Sequence, residues 1–223
     1  MKARFIYTSC LFIFFTHFAF ADELLPIDRF AKTGVVGDYS FHLWDLASAD
    51  IDNYEDIFSR AIDPRVEDFR GHKFNGLILY VVAGPAGKAL FSLYAGYELD
   101  LLPGSLYSKP LTFQKRFYKN DEDGKSGINY WPVLGKESLP MRIYLSPAIV
   151  ASPLKPINSL KIDYSIPSNK KLFEKPLVDE VRQIPNSNLY IGKMYYREFK
   201  TGKHFFFLWF ALERVEEGSS GEK

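Results

Sequence analysis

The sequence predicts a mainly β protein, an antiparallel β-barrel with one short N-terminal amphipathic helix. Three observations carry that prediction. From Phe69 onward, short runs of β-branched and aromatic residues alternate with turn residues. A single stretch of helical apolar spacing precedes them, between Ile51 and Ala61. The last run, His204–Glu213, is apolar on both of its faces.

The chain opens with Met1-Lys2-Ala3-Arg4, a short basic stretch. An apolar run from Phe5 to Phe20 follows, broken by Thr8, Ser9, Thr16 and His17. Ala19 and Ala21 are the small residues that a signal peptidase accepts, so residues 1–21 read as a secretory signal cut after Ala21. The unbroken segment Leu11–Phe15 is too short to span a bilayer. Cys10 is the sole cysteine, and it precedes most of the apolar run, whereas a lipidated cysteine follows it. The mature chain therefore has neither a thiol for catalysis nor a disulfide, and relies on its apolar core. Without Lys2 and Arg4, 26 basic side chains face 27 acidic ones. This near-neutral balance gives no electrostatic basis for binding nucleic acid or an anionic membrane. The expected location is the periplasm or the exterior.

Residues 22–66 read as an irregular N-terminal segment that ends in the helix. Leu24, Leu25, Ile27 and Phe30 are apolar, with breaks at Thr33-Gly34 and Val36-Gly37. Asp52 and Glu55 have capping-box spacing, with Asp in place of Ser or Thr. Ile51, Tyr54, Ile57, Phe58 and Ala61 then recur on one helical face, and Asp63-Pro64 ends the helix. Residues 67–214 form the expected barrel domain, and residues 215–223 a frayed tail. Strands are expected at 77–83, 89–97, 111–118, 129–133, 141–145, 160–166, 189–199 and 204–213. Gly84–Gly87, Asn120–Gly124 and Lys200–Lys203 read as hairpin turns. Regular spacing with tight turns favours an antiparallel barrel or sandwich.

The terminal strand argues for closure. Phe205, Phe207, Trp209 and Ala211 alternate with Phe206, Leu208, Phe210 and Leu212. A strand with one wet face alternates apolar with polar residues, so both faces here should be covered. The barrel interior takes one face. The helix at 53–61 is the available cover for the other.

In the C-terminal half, Leu160–Ser165, Val178–Arg182, Leu189–Lys193 and Phe207–Leu212, with Phe69–Phe74 upstream, resemble a group of uncharacterised bacterial exported proteins. Those proteins have a small lipocalin-like, calycin-type β-barrel. The resemblance covers residues 66–213 and implies that fold, with no activity to carry over. The segment 98–140 has no counterpart in it.

The densest polar-aromatic set is Asp163, Tyr164, Asp179, Glu180, Arg182 and Tyr190. One reading gathers these groups at one end of the barrel around a polar ligand head. The other makes them ion pairs that close the barrel, since buried charges are paired whatever their function. Adjacent Asp179 and Glu180 point to opposite faces of a strand, so they are not the opposed carboxylates of a glycosidase. His72, beside Lys73 at the mouth of the first strand, is the histidine best placed for a role. His42, His72 and His204 lack metal-ligand spacing, and Asp50, Asp52 and Asp56 lack the glycine of a calcium loop, so no metal site is expected. No Gly-x-Ser-x-Gly, Walker loop or dinucleotide fingerprint is present, and no cofactor is implied. Tyr94, Tyr97, Tyr107, Tyr130, Trp131, Tyr144, Tyr195, Tyr196 and Trp209 are candidates to line an apolar pocket, or are ordinary core. Lys115, Arg116, Lys161, Lys193 and Arg197 interrupt the lipid face that a membrane barrel needs.

The expected function is that of an exported, noncatalytic lipocalin-like protein that binds a small apolar or amphipathic ligand. The candidate ligand residues are Asp163, Tyr164, Asp179, Glu180, Arg182, Tyr190, Tyr195, Trp209 and His72. Two alternatives stand beside it. One is an enzyme using Asp163, Asp179, Glu180, Arg182 and His72 for acid–base chemistry. The other is an envelope interaction module with 98–140 as its contact surface.

Overall fold

The computed structural model describes residues 24–81, 112–132, 135–149, 157–169 and 174–216. Three helices come first: α1 (Pro26–Thr33), α2 (Leu43–Ser48) and α3 (Tyr54–Arg60). Eight strands follow: β1 (Lys73–Val81), β2 (Thr112–Glu122), β3 (Lys125–Trp131), β4 (Lys136–Pro147), β5 (Asn158–Asp163), β6 (Leu177–Gln183), β7 (Leu189–Arg197) and β8 (His204–Arg214). Each strand pairs antiparallel with its chain neighbour, and β8 returns to pair with β1, so the barrel closes. The fold is the mainly β, closed antiparallel barrel that the sequence predicts. Among the described residues no helix is long and apolar enough to cross a membrane.

The N-terminal segment is more regular than its composition suggests. Pro26 stands in the first turn of α1, and Gly34 follows the helix at φ 74°, its N–H donating to Phe30 O at 2.7 Å. Arg60 donates to Ala31 O and Lys32 O, satisfying carbonyls that the end of α1 leaves open. The Asp52–Glu55 capping box does not form. Asp50 is the cap, its carboxylate accepting from Asp52 N–H at 3.1 Å, while Glu55 pairs with Lys193.

The expected strands correspond to β1–β5, β7 and β8 with shifted ends. The expected strand 89–97 and the turn Gly84–Gly87 lie outside the described residues. β6 is additional, because Asp179, Glu180 and Arg182 hide its apolar pattern. Asp123 and Gly124, at φ 50° and 74°, make the two-residue turn between β2 and β3 that Asp-Gly favours.

Two apolar clusters share the sheet. The interior holds Phe69, Phe74, Phe113, Phe117, Leu160, Ile162, Val181, Phe210 and Leu212, among others. The outer cluster joins Phe30, Leu46, Tyr54, Ile57 and Phe58 to Ile191, Trp209 and Ala211. Trp209 lies 5.7 Å from Tyr54 and 5.9 Å from Phe58, centroid to centroid, so α3 does cover β8. The simple alternation along β8 fails at one point. Its register with β7 shifts where Tyr195 pairs with Phe206 and Met194 with Leu208, leaving Phe207 as the extra residue. Phe207 therefore joins the interior cluster along with Leu208, Phe206 packs outside, and Phe205 remains exposed.

Candidate functional site

Strand alternation divides the polar residues of β6 between two environments. Asp179 and Val181 point into the barrel, and Glu180 and Arg182 point outward. The inward group is a buried quartet drawn from four places in the sequence. Lys115 on β2 donates to Asn129 Oδ1 on β3 at 3.1 Å, to Tyr164 Oη at 2.5 Å and to Asp179 Oδ2 at 3.1 Å. Tyr164, just past β5, donates its hydroxyl to the same Asp179 oxygen at 2.8 Å. All four side chains are buried. The rings of Phe113, Tyr164 and Phe210 stand 5.3–5.5 Å from the Lys115 ammonium and form an apolar collar with cation–π character.

Two glycines make room for that collar. A Cβ on Gly76 would lie 2.4 Å from the Phe113 ring, and one on Gly192 would lie 2.2 Å from the Phe210 ring. Beside the quartet lies a cavity of about 20 Å³, bounded by Ile78, Phe113, Trp131, Met194, Leu208 and Phe210 together with Lys115, Asn129 and Asp179. Among the described residues Asp179 Oδ1 has no hydrogen-bond partner. Burial pushes the Asp179 carboxyl above its ordinary range, against the pull of Lys115. Burial likewise lowers Lys115, against the attraction of Asp179.

The outward group lies on the other side of the sheet. Glu180 accepts from Lys161, from Ser159 Oγ at 3.1 Å and from Ile149 N–H at 2.5 Å. Burial pushes the nearby Tyr195 hydroxyl up, and Glu180 adds to the effect. Arg182 holds Asp63 at 2.7 Å and donates to the carbonyls of Ala61 and Asn158, which ties the end of α3 to the sheet. Lys193 reaches Glu55 at 2.7 Å beneath α3, over the rings of Phe58 and Trp209.

The candidate ligand residues are thus spread over several surroundings. Asp179 and Tyr164 share the interior quartet. Tyr190 is also interior but packs against Phe69 and Phe74. Glu180, Arg182, Tyr195 and Trp209 face outward. Asp163, outward on β5, accepts from Arg142 at 2.8 Å and from Ser165 N–H. Burial raises its pKa, but the hydrogen bonds from Ser165 and Arg142 outweigh burial and hold it below the ordinary value. His72 is half-buried in the turn before β1, and no side-chain hydrogen bond joins it to these carboxylates among the described residues. Of the nine aromatic candidates Trp131 alone borders the cavity among the described residues, and Tyr94, Tyr97 and Tyr107 lie outside those residues. Among the described residues no three His, Cys, Asp or Glu side chains converge as they would for a metal ion.

Lys115 and Asn129 were absent from the expected site. Their sequence signal is a polar residue on an apolar face. Phe113, Lys115 and Phe117 share one side of β2, so the lysine stands where alternation calls for core. The chain matches no protein-family model, no curated protein sequence and no solved structure.

Proposed function

We propose that this chain is an exported, noncatalytic lipocalin-like protein that takes a small amphipathic ligand polar end first into its barrel. The observation that carries this reading is Asp179 Oδ1, a buried acceptor without a partner among the described residues, on a side chain that borders a cavity with mostly apolar walls. An unmet buried acceptor is costly, and a ligand that donates to it recovers that cost. The three ammonium hydrogens of Lys115 are already spent, so the unmet demand is for a donor. The favoured head group is therefore a neutral hydroxyl or amide. A carboxylate would meet Asp179 as a like charge.

The space beside the quartet suits about one water-sized group. The head alone fills it, so room for the apolar remainder requires the walls at Ile78, Leu208 and Met194 to move apart, Met194 being the most adaptable of the three. Native mass spectrometry of protein purified from its own host tests the proposal. A small neutral amphiphile should accompany the wild-type chain and be lost from Asp179→Leu. A barrel that is empty in every preparation would refute it. Export has its own check: the N-terminus of protein recovered from the envelope or medium should be Asp22.

One observation favours an acid–base enzyme as a second reading. Asp179 is pushed up and Lys115 down within one cavity, a pairing of shifts common at active sites. The two readings separate on the fate of the ligand. A binding protein releases it unchanged, whereas an enzyme releases product.

A further inference from the structure

A second site lies at another part of the barrel, and its hydrogen-bonding inventory identifies what it takes. Ile62, Asp63, Arg65, Asp68, Gln183, Tyr190 and Arg214 border a cleft of about 390 Å³. Four separate parts of the chain build it: the turn after α3, the start of β7, the end of β6 and the end of β8. Its floor is Tyr190, whose side chain packs against Phe69 and Phe74 and is 1 % exposed. Despite that burial, the Tyr190 hydroxyl makes no hydrogen bond among the described residues. Its surroundings act on it through burial and through the charges of Asp68, Arg214 and Arg65.

The carboxylates in the cleft are already engaged. Both oxygens of Asp68 are held by Arg65, at 2.7 and 3.2 Å. Asp63 accepts from Arg182 at 2.7 Å through one oxygen and from Asn158 at 3.3 Å through the other. Gln183 donates its amide to Ser187 O, leaving its own oxygen as a spare acceptor. Among the described residues the guanidinium of Arg214 makes one hydrogen bond, from Nη2 to Asn188 Oδ1 at 2.8 Å, which leaves Nε and Nη1 unspent there. Arg65 retains Nη1. The surplus in the cleft is therefore donors, two of them cationic, converging over one buried hydroxyl.

From this surplus we infer that the cleft binds a small oxyanion-bearing molecule, a carboxylate or phosphate, between Arg214 and Tyr190. Arg214 supplies charge-assisted hydrogen bonds, Arg65 lies at the rim, and the Tyr190 hydroxyl selects an acceptor. This site is independent of the interior cavity and of the ligand proposed there.

Calorimetric titration of the mature protein with inorganic phosphate and, separately, with acetate tests the inference at constant ionic strength. At least one should bind saturably at one site per chain, and whichever binds tighter names the class. Arg214→Gln should weaken that binding by about tenfold to a hundredfold, as the loss of a charged hydrogen-bond partner does. Tyr190→Phe keeps the packed ring and removes only the hydroxyl, and should weaken binding by about threefold to tenfold. Arg197→Gln, exposed at the far end of β7, should leave it unchanged. The inference is overturned if neither anion binds saturably. It is also overturned if Arg197→Gln weakens binding as much as Arg214→Gln does, or if Tyr190→Phe binds like the wild type.

Discussion

The chemistry of the interior rests on four side chains that satisfy one another. Lys115 and Asp179 are a fully buried ion pair, and burial opposes the charged form of each. Removing one partner strands the other. Lys115→Met alone should therefore lower the unfolding free energy by about 3–5 kcal/mol. The double variant Lys115→Met, Asp179→Leu should recover most of that loss, because well-packed apolar pairs match buried ion pairs in stability. Urea denaturation of the wild type, both single variants and the double variant measures the coupling. Additive losses would mean that the pair is not a unit. At this scale the sequence was half legible. Asp179 and Tyr164 stood out as members of the densest polar-aromatic set. Lys115 and Asn129 did not, because their partners lie 64 residues away in sequence in one case and 14 in the other. Linear spacing carries no record of contacts made across a closed sheet.

The elements show where local signals were sufficient and where they were misread. Alternation and turn residues placed most of the described strands, and Asp-Gly marked the tight turn after β2. Pro26, the spacing of Ile27, Phe30 and Ala31, and Gly34 also spelled a helix, yet eight residues are too few for periodicity to stand out. On β8 the face assignment held from Leu208 to Leu212 and broke at Phe207, since a bulge leaves no mark in an all-apolar run. On β7, Gly192 is required by an element rather than by a turn. Its missing side chain is the space in which the Phe210 ring lies. Gly192→Ala should cost about 1–3 kcal/mol through overpacking, read as a lowered thermal midpoint. A variant as stable as the wild type would show that Phe210 has room to move.

At the scale of the molecule, the helices and the barrel are one structure because β8 serves both. Its Phe210 and Leu212 fill the interior, and its Trp209 and Ala211 carry the helical cover. Unfolding in urea should therefore be a single transition. In a Trp44→Phe, Trp131→Phe variant, fluorescence, which Trp209 beneath α3 then reports, and far-ultraviolet circular dichroism, which the barrel dominates, should give the same midpoint. A fluorescence change that precedes the loss of strand signal would show the cover lifting by itself. The closure of the sheet was predictable from two-sided burial of the last strand. That Asp179 and Glu180 part to its two sides followed from alternation, but which of them faces the interior did not, because it depends on how β6 sits between β5 and β7.

The pairing of β8 with β1 also sets a schedule. The first stave of the cylinder is delivered well before the last, so the ring of backbone bonds cannot shut until β8 is in place. Up to that moment β1 and the growing end each present an open ladder, to which a stray strand can attach. Chaperone demand on this chain should accordingly persist until β8 has paired with β1 and fall away once the cylinder has sealed.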